Sequence, residues 1–344
     1  MSYLNRRRLL ALGAAASLAA CDDHKLIAPT KAKPIDVQRL AHAFPALAER
    51  AKPGIFSLGV MSLANTQTWY WDTERAFPLA GAVAAPIAVA ALAQVDDGKL
   101  VLTNRVAFND LDLSPPDSLI DQRFTDPPDG RSATILLSGL ATLALRQGDN
   151  TAMDILMKQA GGPGAVAAFL EQKGVTGLRV DRYLRQIDAD LLAMPTFRAA
   201  WKDPPAFEAA VEATPAAQRQ AAMDAFIVDP RDTSTVPAAL GFLALLADGE
   251  LISPRSTAQL LTWMDGPPGR FRPGFAADVR MAHAGGATPT DLGFTAATTE
   301  LAIATYPNGL QYAVAAFLTG STATDAARRG LFADAARLVA GAIG

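Results

Sequence analysis

The stretch Phe77-Pro78-Leu79-Ala80-Gly81-Ala82-Val83-Ala84-Ala85-Pro86-Ile87-Ala88-Val89-Ala90-Ala91-Leu92-Ala93-Gln94-Val95-Asp96-Asp97-Gly98 decides how this chain folds. From Leu79 to Ala93 every residue is apolar, glycine or proline, so no polar face is left for solvent. A helix that is apolar all round belongs in a core. The run is too short and too alanine-rich to span a bilayer comfortably. Asp96-Asp97-Gly98 then supplies a polar exit with glycine at the helix end. The sequence predicts a central helix buried on every side.

Upstream, Asp36 is a helix N-cap, and Leu40, Phe44, Leu47 and Ala48 fall on one face of a helix over 36–51. Pro53-Gly54 ends it. Residues 55–63 read as a buried strand and 68–71 as a second, joined by the turn 64–67. Downstream, 107–131 is rich in Asp and Pro and reads as a long loop. Helices are expected over 132–146, 150–159 and 161–174. Residues 190–226 are alanine-rich and cut into short helices by Pro195, Pro204, Pro205 and Pro215. Two more helices are expected over 236–248 and 253–264. Gly266-Pro267-Pro268-Gly269 is a break before strands over 279–283, 293–306 and 311–318, the last two joined by a turn at Pro307-Asn308-Gly309. A helix over 323–343 ends the chain. Strands at both ends with helices between them predict an α+β fold. Its antiparallel sheet is built from both termini and carries an inserted all-helical block.

The 344 residues allow one large domain or two lobes. With 50% apolar and 19% charged residues, a sizeable core is expected. The net charge of −3, with no basic run beyond the N-terminus, gives no support for nucleic-acid binding. Residues 1–21 read as a signal segment: Arg6-Arg7-Arg8, an apolar stretch, then Leu18-Ala19-Ala20-Cys21, which resembles a bacterial lipobox. Cys21 is the sole cysteine, so no internal disulfide is available, and the motif makes it a lipidation site. Asp22 follows it, a residue associated with retention at the inner membrane. Residues 22–34 read as a tether to a domain over 35–344. The expected location is the bacterial envelope, with the protein lipid-anchored and facing the periplasm.

The central stretch resembles the nucleophile-bearing helix of class A serine β-lactamases and related penicillin-recognising serine hydrolases, with its frame F-P-[LM]-x-S-T-F-K-x-P-x-A and an apolar run ending V-D-x-G. Phe77, Pro78, Leu79, Pro86, Val95, Asp96 and Gly98 fit. The family's S-x-x-K falls on Gly81 and Ala84. Its S-D-N falls on Gly148-Asp149-Asn150, followed by Gly161-Gly162-Pro163; by residue type alone, Asp149 and Asn150 are also good helix caps. Its omega-loop pattern is matched by Arg179, Asp181 and Arg182, while the deacylating glutamate falls on Leu184 and the water-holding asparagine on Asp188. The loop's closing R-D-T-T-x-P is similar to Arg231-Asp232-Thr233-Ser234, so the resemblance implies an ion pair between Arg182 and Asp232. An insertion over about 189–228 separates these anchors. The K-T-G motif falls on Ala284-Gly285-Gly286, preceded by His283.

The resemblance covers about 36–344 and divides the domain into an α/β lobe, about 35–78 and 279–344, and a helical lobe, about 79–278. Its frame is kept in Asp149, Asn150 and Gly286, while the catalytic positions hold Gly81, Ala84, Gly148, Leu184 and Ala284. None of these side chains transfers a proton. Losing groups that act as a unit costs on the order of 10⁶ in rate. The chain therefore reads as a catalytically inactive β-lactamase-like lipoprotein that binds a cell-envelope protein or a cell-wall ligand. One alternative is a serine hydrolase, hydrolysing β-lactams, whose machinery has moved to Ser114 and His283; with Asp188 these are the candidate site-lining groups. Another is an assembly protein using 190–226 as its contact surface. No metal and no cofactor is called for. Small side chains at five positions predict a cleft wider and less polar than in an active relative.

Overall fold

The computed structural model describes residues 33–344 other than 73, 115–117, 121–132, 195–200 and 202. The expected signal segment, Cys21 and most of the expected tether lie outside the described residues. Among the described residues no helix is long and apolar enough to cross a membrane.

Helix α1, Val37–Arg50, starts where the Asp36 carboxylate accepts from the Arg39 N–H at 2.9 Å. Strands β1 (Ile55–Ser62), β2 (Thr68–Tyr70) and β3 (Phe77–Pro78) follow, and a 3₁₀ turn at Ala80–Val83 leads into α2, Ala84–Asp96. The helical block holds β4 (Arg105–Phe108), β5 (Ala133–Leu136), α3 (Leu137–Gln147), α4 (Asn150–Gln159), α5 (Pro163–Gln172) and α6 (Leu184–Leu191). It continues through α7 (Pro204–Ala213), α8 (Ala216–Val228), β6 (Thr233–Ser234), α9 (Val236–Ala247) and α10 (Pro254–Met264). The chain closes with β7 (Arg280–Ala287), β8 (Thr290–Asp291), β9 (Phe294–Thr305), β10 (Gln311–Ser321) and α11 (Asp325–Ile343).

One antiparallel sheet runs in the order β2-β1-β10-β9-β7, with β8 added on β9. Strands from the two ends of the chain meet at its centre, where Ile55 pairs with Thr319 and Ser62 with Tyr312. Side chains alternate across a strand. On β10, Tyr312, Val314, Ala316 and Leu318 join a core formed with Phe44, Phe332 and Val339 of the terminal helices. Ala313, Ala315 and Phe317 face the other way, into the core shared with α2 and α9. Both faces are covered, which is why the two long strands are buried along nearly their whole length rather than at alternate residues. Helix α2 is buried at every position from Ala84 to Leu92, as an all-apolar helix requires.

Three local expectations are corrected. The helix expected over 132–146 is a strand and a shorter helix: Leu136 is extended, and Val106 pairs with Ile135, where β-branched side chains favour the pleat. The loop expected over 107–131 opens with the end of β4 and a 3₁₀ turn, Asp110–Asp112. The strand expected over 279–283 runs on to Ala287, because Gly285 and Gly286 keep their places in the ladder opposite Glu300 and Thr299. The inserted region forms α7, α8 and a small apolar cluster of Ala189, Leu192, Met194, Trp201 and Phe207.

Candidate functional site

A cavity of about 100 Å³ lies where the 3₁₀ turn, α6, α8 and the end of β7 converge. Its walls are mainly apolar or backbone: Gly81, Val83, Leu184, Ile187, Phe226 and Gly285 to Ala287, with Asn150, Asp188, Asp232 and Thr288 as polar groups. Gly148, the left-handed C-cap of α3 at φ 66°, lies at its rim. Three of the five positions at which the resemblance expects catalytic groups, Gly81, Gly148 and Leu184, thus line one cavity. The other two, Ala84 and Ala284, are buried in the core beside it.

At Gly81 the two walls of the cleft stand close together. A Cβ placed on Gly81 would stand 2.9 Å from both the Gly285 carbonyl oxygen and Gly286 Cα, closer than Cβ atoms pack. A Cβ on Gly286 would in turn stand 2.8 Å from Gly81 Cα. With no side chain on either glycine, the two backbones pack directly together. The neighbouring Ala80 holds a φ of 45°, a left-handed conformation that costs an L residue energy.

Asp149 is the N-cap of α4, accepting from the Ala152 N–H at 2.8 Å. It also accepts from Ser118 Oγ and from the Leu119 N–H. Its carboxylate is spent on backbone and hydroxyl donors. One turn further on, Asn150 and Asp154 share a face of α4 and both meet α6. Asn150 Nδ2 donates to Asp188 Oδ2 at 3.2 Å. Asp154 accepts from the Leu184 N–H at 2.6 Å, the Arg185 N–H at 3.1 Å and Ser114 Oγ at 2.7 Å. It caps α6 from a neighbouring helix. Burial pushes the Asp154 carboxyl up to about 6, against the pull of those donors. Burial and the charge of Asp154 push Asp188 up to about 7.

Arg182 and Asp232 meet at 2.6 Å, both buried, at the base of the insertion. Asp232 also accepts from the N–H groups of Asp181 and Arg182. The Arg182 guanidinium reaches Asp190 at 2.6 Å and lies over the Phe226 ring at 5.7 Å. The insertion therefore presents an aromatic ring to the cavity.

Two of the three candidate lining groups stand elsewhere. Ser114 is wholly buried, with Oγ committed to Asp154 and its N–H to Thr151, and does not line the cavity. His283 also lies off the cavity. Its Nδ1 is 3.0 Å from Glu300 Oε1, and its Nε2 is 2.8 Å from the Pro267 carbonyl. Burial lowers the His283 pKa, and the hydrogen bond and charge of Glu300 outweigh that and raise it. Asp188 does line the cavity. The sequence reading missed Asp154 and Phe226; the i, i+4 spacing of Asn150 and Asp154 was the available signal for the first. Among the described residues no group of three or more His, Cys, Asp or Glu side chains could hold a metal ion.

Comparison with known proteins gives one consistent result. The profile of the beta-lactamase enzyme family matches residues 39–343. The beta-lactamase CTX-M-8 of Citrobacter amalonaticus is 28% identical over 240 residues, covering 70% of this chain and 66% of that protein, just under two thirds. The crystal structure of a beta-lactamase from Chitinophaga pinensis superposes with a TM-score of 0.70 at 25% identity, covering 88% of this chain and 100% of that one. The class A beta-lactamase of the last common ancestor of Gram-negative bacteria gives a TM-score of 0.67 at 28% identity, covering 87% and 98%.

Proposed function

The chain belongs to the beta-lactamase enzyme family, and we propose that it is a non-hydrolytic member, a lipid-anchored envelope protein that binds a ligand or partner through the remnant cleft. Acyl transfer needs an activated hydroxyl, a base and donors for the oxyanion. The observation that carries the reading is Gly81, which has no hydroxyl and no room for one against Gly285 and Gly286. Leu184, Ala84 and Ala284 give the cleft no base in its place. Relatives named as beta-lactamases share the fold, and the difference lies in these side chains. The envelope location rests on the lipobox ending at Cys21.

Nitrocefin turnover tests the reading. Purified protein is expected to hydrolyse it no faster than buffer. Turnover that survives purification and vanishes in Ser114→Ala would favour the relocated hydrolase. For the anchor, incorporation of labelled palmitate that is lost in Cys21→Ser is the expected result.

A further inference from the structure

None of the described residues lining this cavity is Lys or Arg. What lines it is a carboxyl. Asp188 is 93% buried, being 7% exposed, and among the described residues its one hydrogen-bond partner is Asn150, at Oδ2. Asp232 also lines the cavity, but its carboxylate is held by Arg182 and two backbone N–H groups. The remaining described walls are Gly, Ala, Val, Leu, Ile, Phe and Pro, with Asn150 and Thr288 as uncharged polar groups. A carboxyl in such surroundings either takes up a proton or, when ionised, is stabilised by a positive partner. The volume holds only a few heavy atoms, and the exposed Gly148 and Pro289 at the rim give access from solvent.

We propose that the cavity binds a small organic cation, a primary ammonium or guanidinium group, with Asp188 as its counter-ion and Leu184, Ile187 and Phe226 around its apolar part, and that it rejects carboxylates. This rests on the reading that the site performs no acylation. The charged groups around Asp188 are Asp154 on α4, and Arg185 and Asp190 on its own helix. Arg185 donates to the Leu111 carbonyl, and Arg182 is held by Asp190 and Asp232. Helix α8 contributes Phe226, and the end of β7 contributes only Gly285, Gly286 and Ala287. A cation binds the ionised form of Asp188, so binding strengthens with pH.

The test is an NMR titration of the full chain with ethylammonium chloride, sodium propionate and potassium chloride. It follows the Asn150 side-chain amide and the Gly81 and Gly148 backbone amides. Saturable shifts with ethylammonium alone are expected. They should weaken between pH 8 and pH 5.5, and by about tenfold or more in Asp188→Asn, the loss of one charged hydrogen bond. Melting temperature gives a second readout: ethylammonium should raise it in the parent and not in the variant. Equal binding by Asp188→Asn, equal binding of propionate, or no saturation at all would overturn the proposal. Nitrocefin turnover would overturn the non-hydrolytic reading without touching these readouts, so the two can fail separately.

Discussion

Asp188 carries into a mainly apolar wall a carboxyl whose one partner among the described residues is Asn150, and its pKa rises from 3.8 to about 7. Between those values the folded protein keeps a proton that the unfolded chain has released. This contribution to stability is complete below pH 3.8 and is lost as pH rises through about 7. Asp188→Asn removes the titration and keeps the shape. At pH 8 it should stabilise the protein by about 2 kcal/mol, with little change near pH 4. Urea unfolding at both pH values checks this, and an unchanged pH slope would contradict it. At Gly81 the expectation runs the other way. Gly81→Ser forces a Cβ onto the Gly285 and Gly286 backbone, so it should cost about 1–3 kcal/mol and yield no nitrocefin turnover. Adding the missing hydroxyl does not restore the space it needs.

At the scale of elements, α6 is held at both ends from outside itself. Asp154 caps its start, and Asp190 near its end pairs with Arg182, which is also bound to Asp232. Arg182→Ala would leave Asp232 buried without its cation, at a cost of about 3–5 kcal/mol. Arg231, whose side chain is 47% exposed, should cost at most about 1 kcal/mol when replaced by Ala. Denaturant midpoints of the two variants make the comparison, and similar losses would refute this account of the loop base. These elements also show where sequence reading succeeds. The span of α4 and the all-round burial of α2 follow from caps and apolar pattern, which are local. The strand at Ala133–Leu136 escaped because its partner, Arg105–Phe108, lies in a distant stretch. So did the capping of α6 by Asp154, since a contact between two helices leaves no mark in either one's periodicity.

In the whole molecule, the sheet joins both ends of the chain, with the terminal helices on one face and the helical block on the other. This plan was legible because strands and helices segregate along the sequence. The site was legible as a set of positions: the frame residues located the cavity, and Gly81, Gly148 and Leu184 line it. Its shape was not, because the close approach of the Gly81 and Gly286 backbones joins two stretches far apart in the sequence. A fold kept whole around a site without a nucleophile is the central claim. The measurement that tests it most directly is the intact mass of the purified protein after incubation with excess benzylpenicillin. We predict a single species at its unmodified mass, and a gain of one benzylpenicillin, mapped to any side chain lining the cavity, would contradict the account.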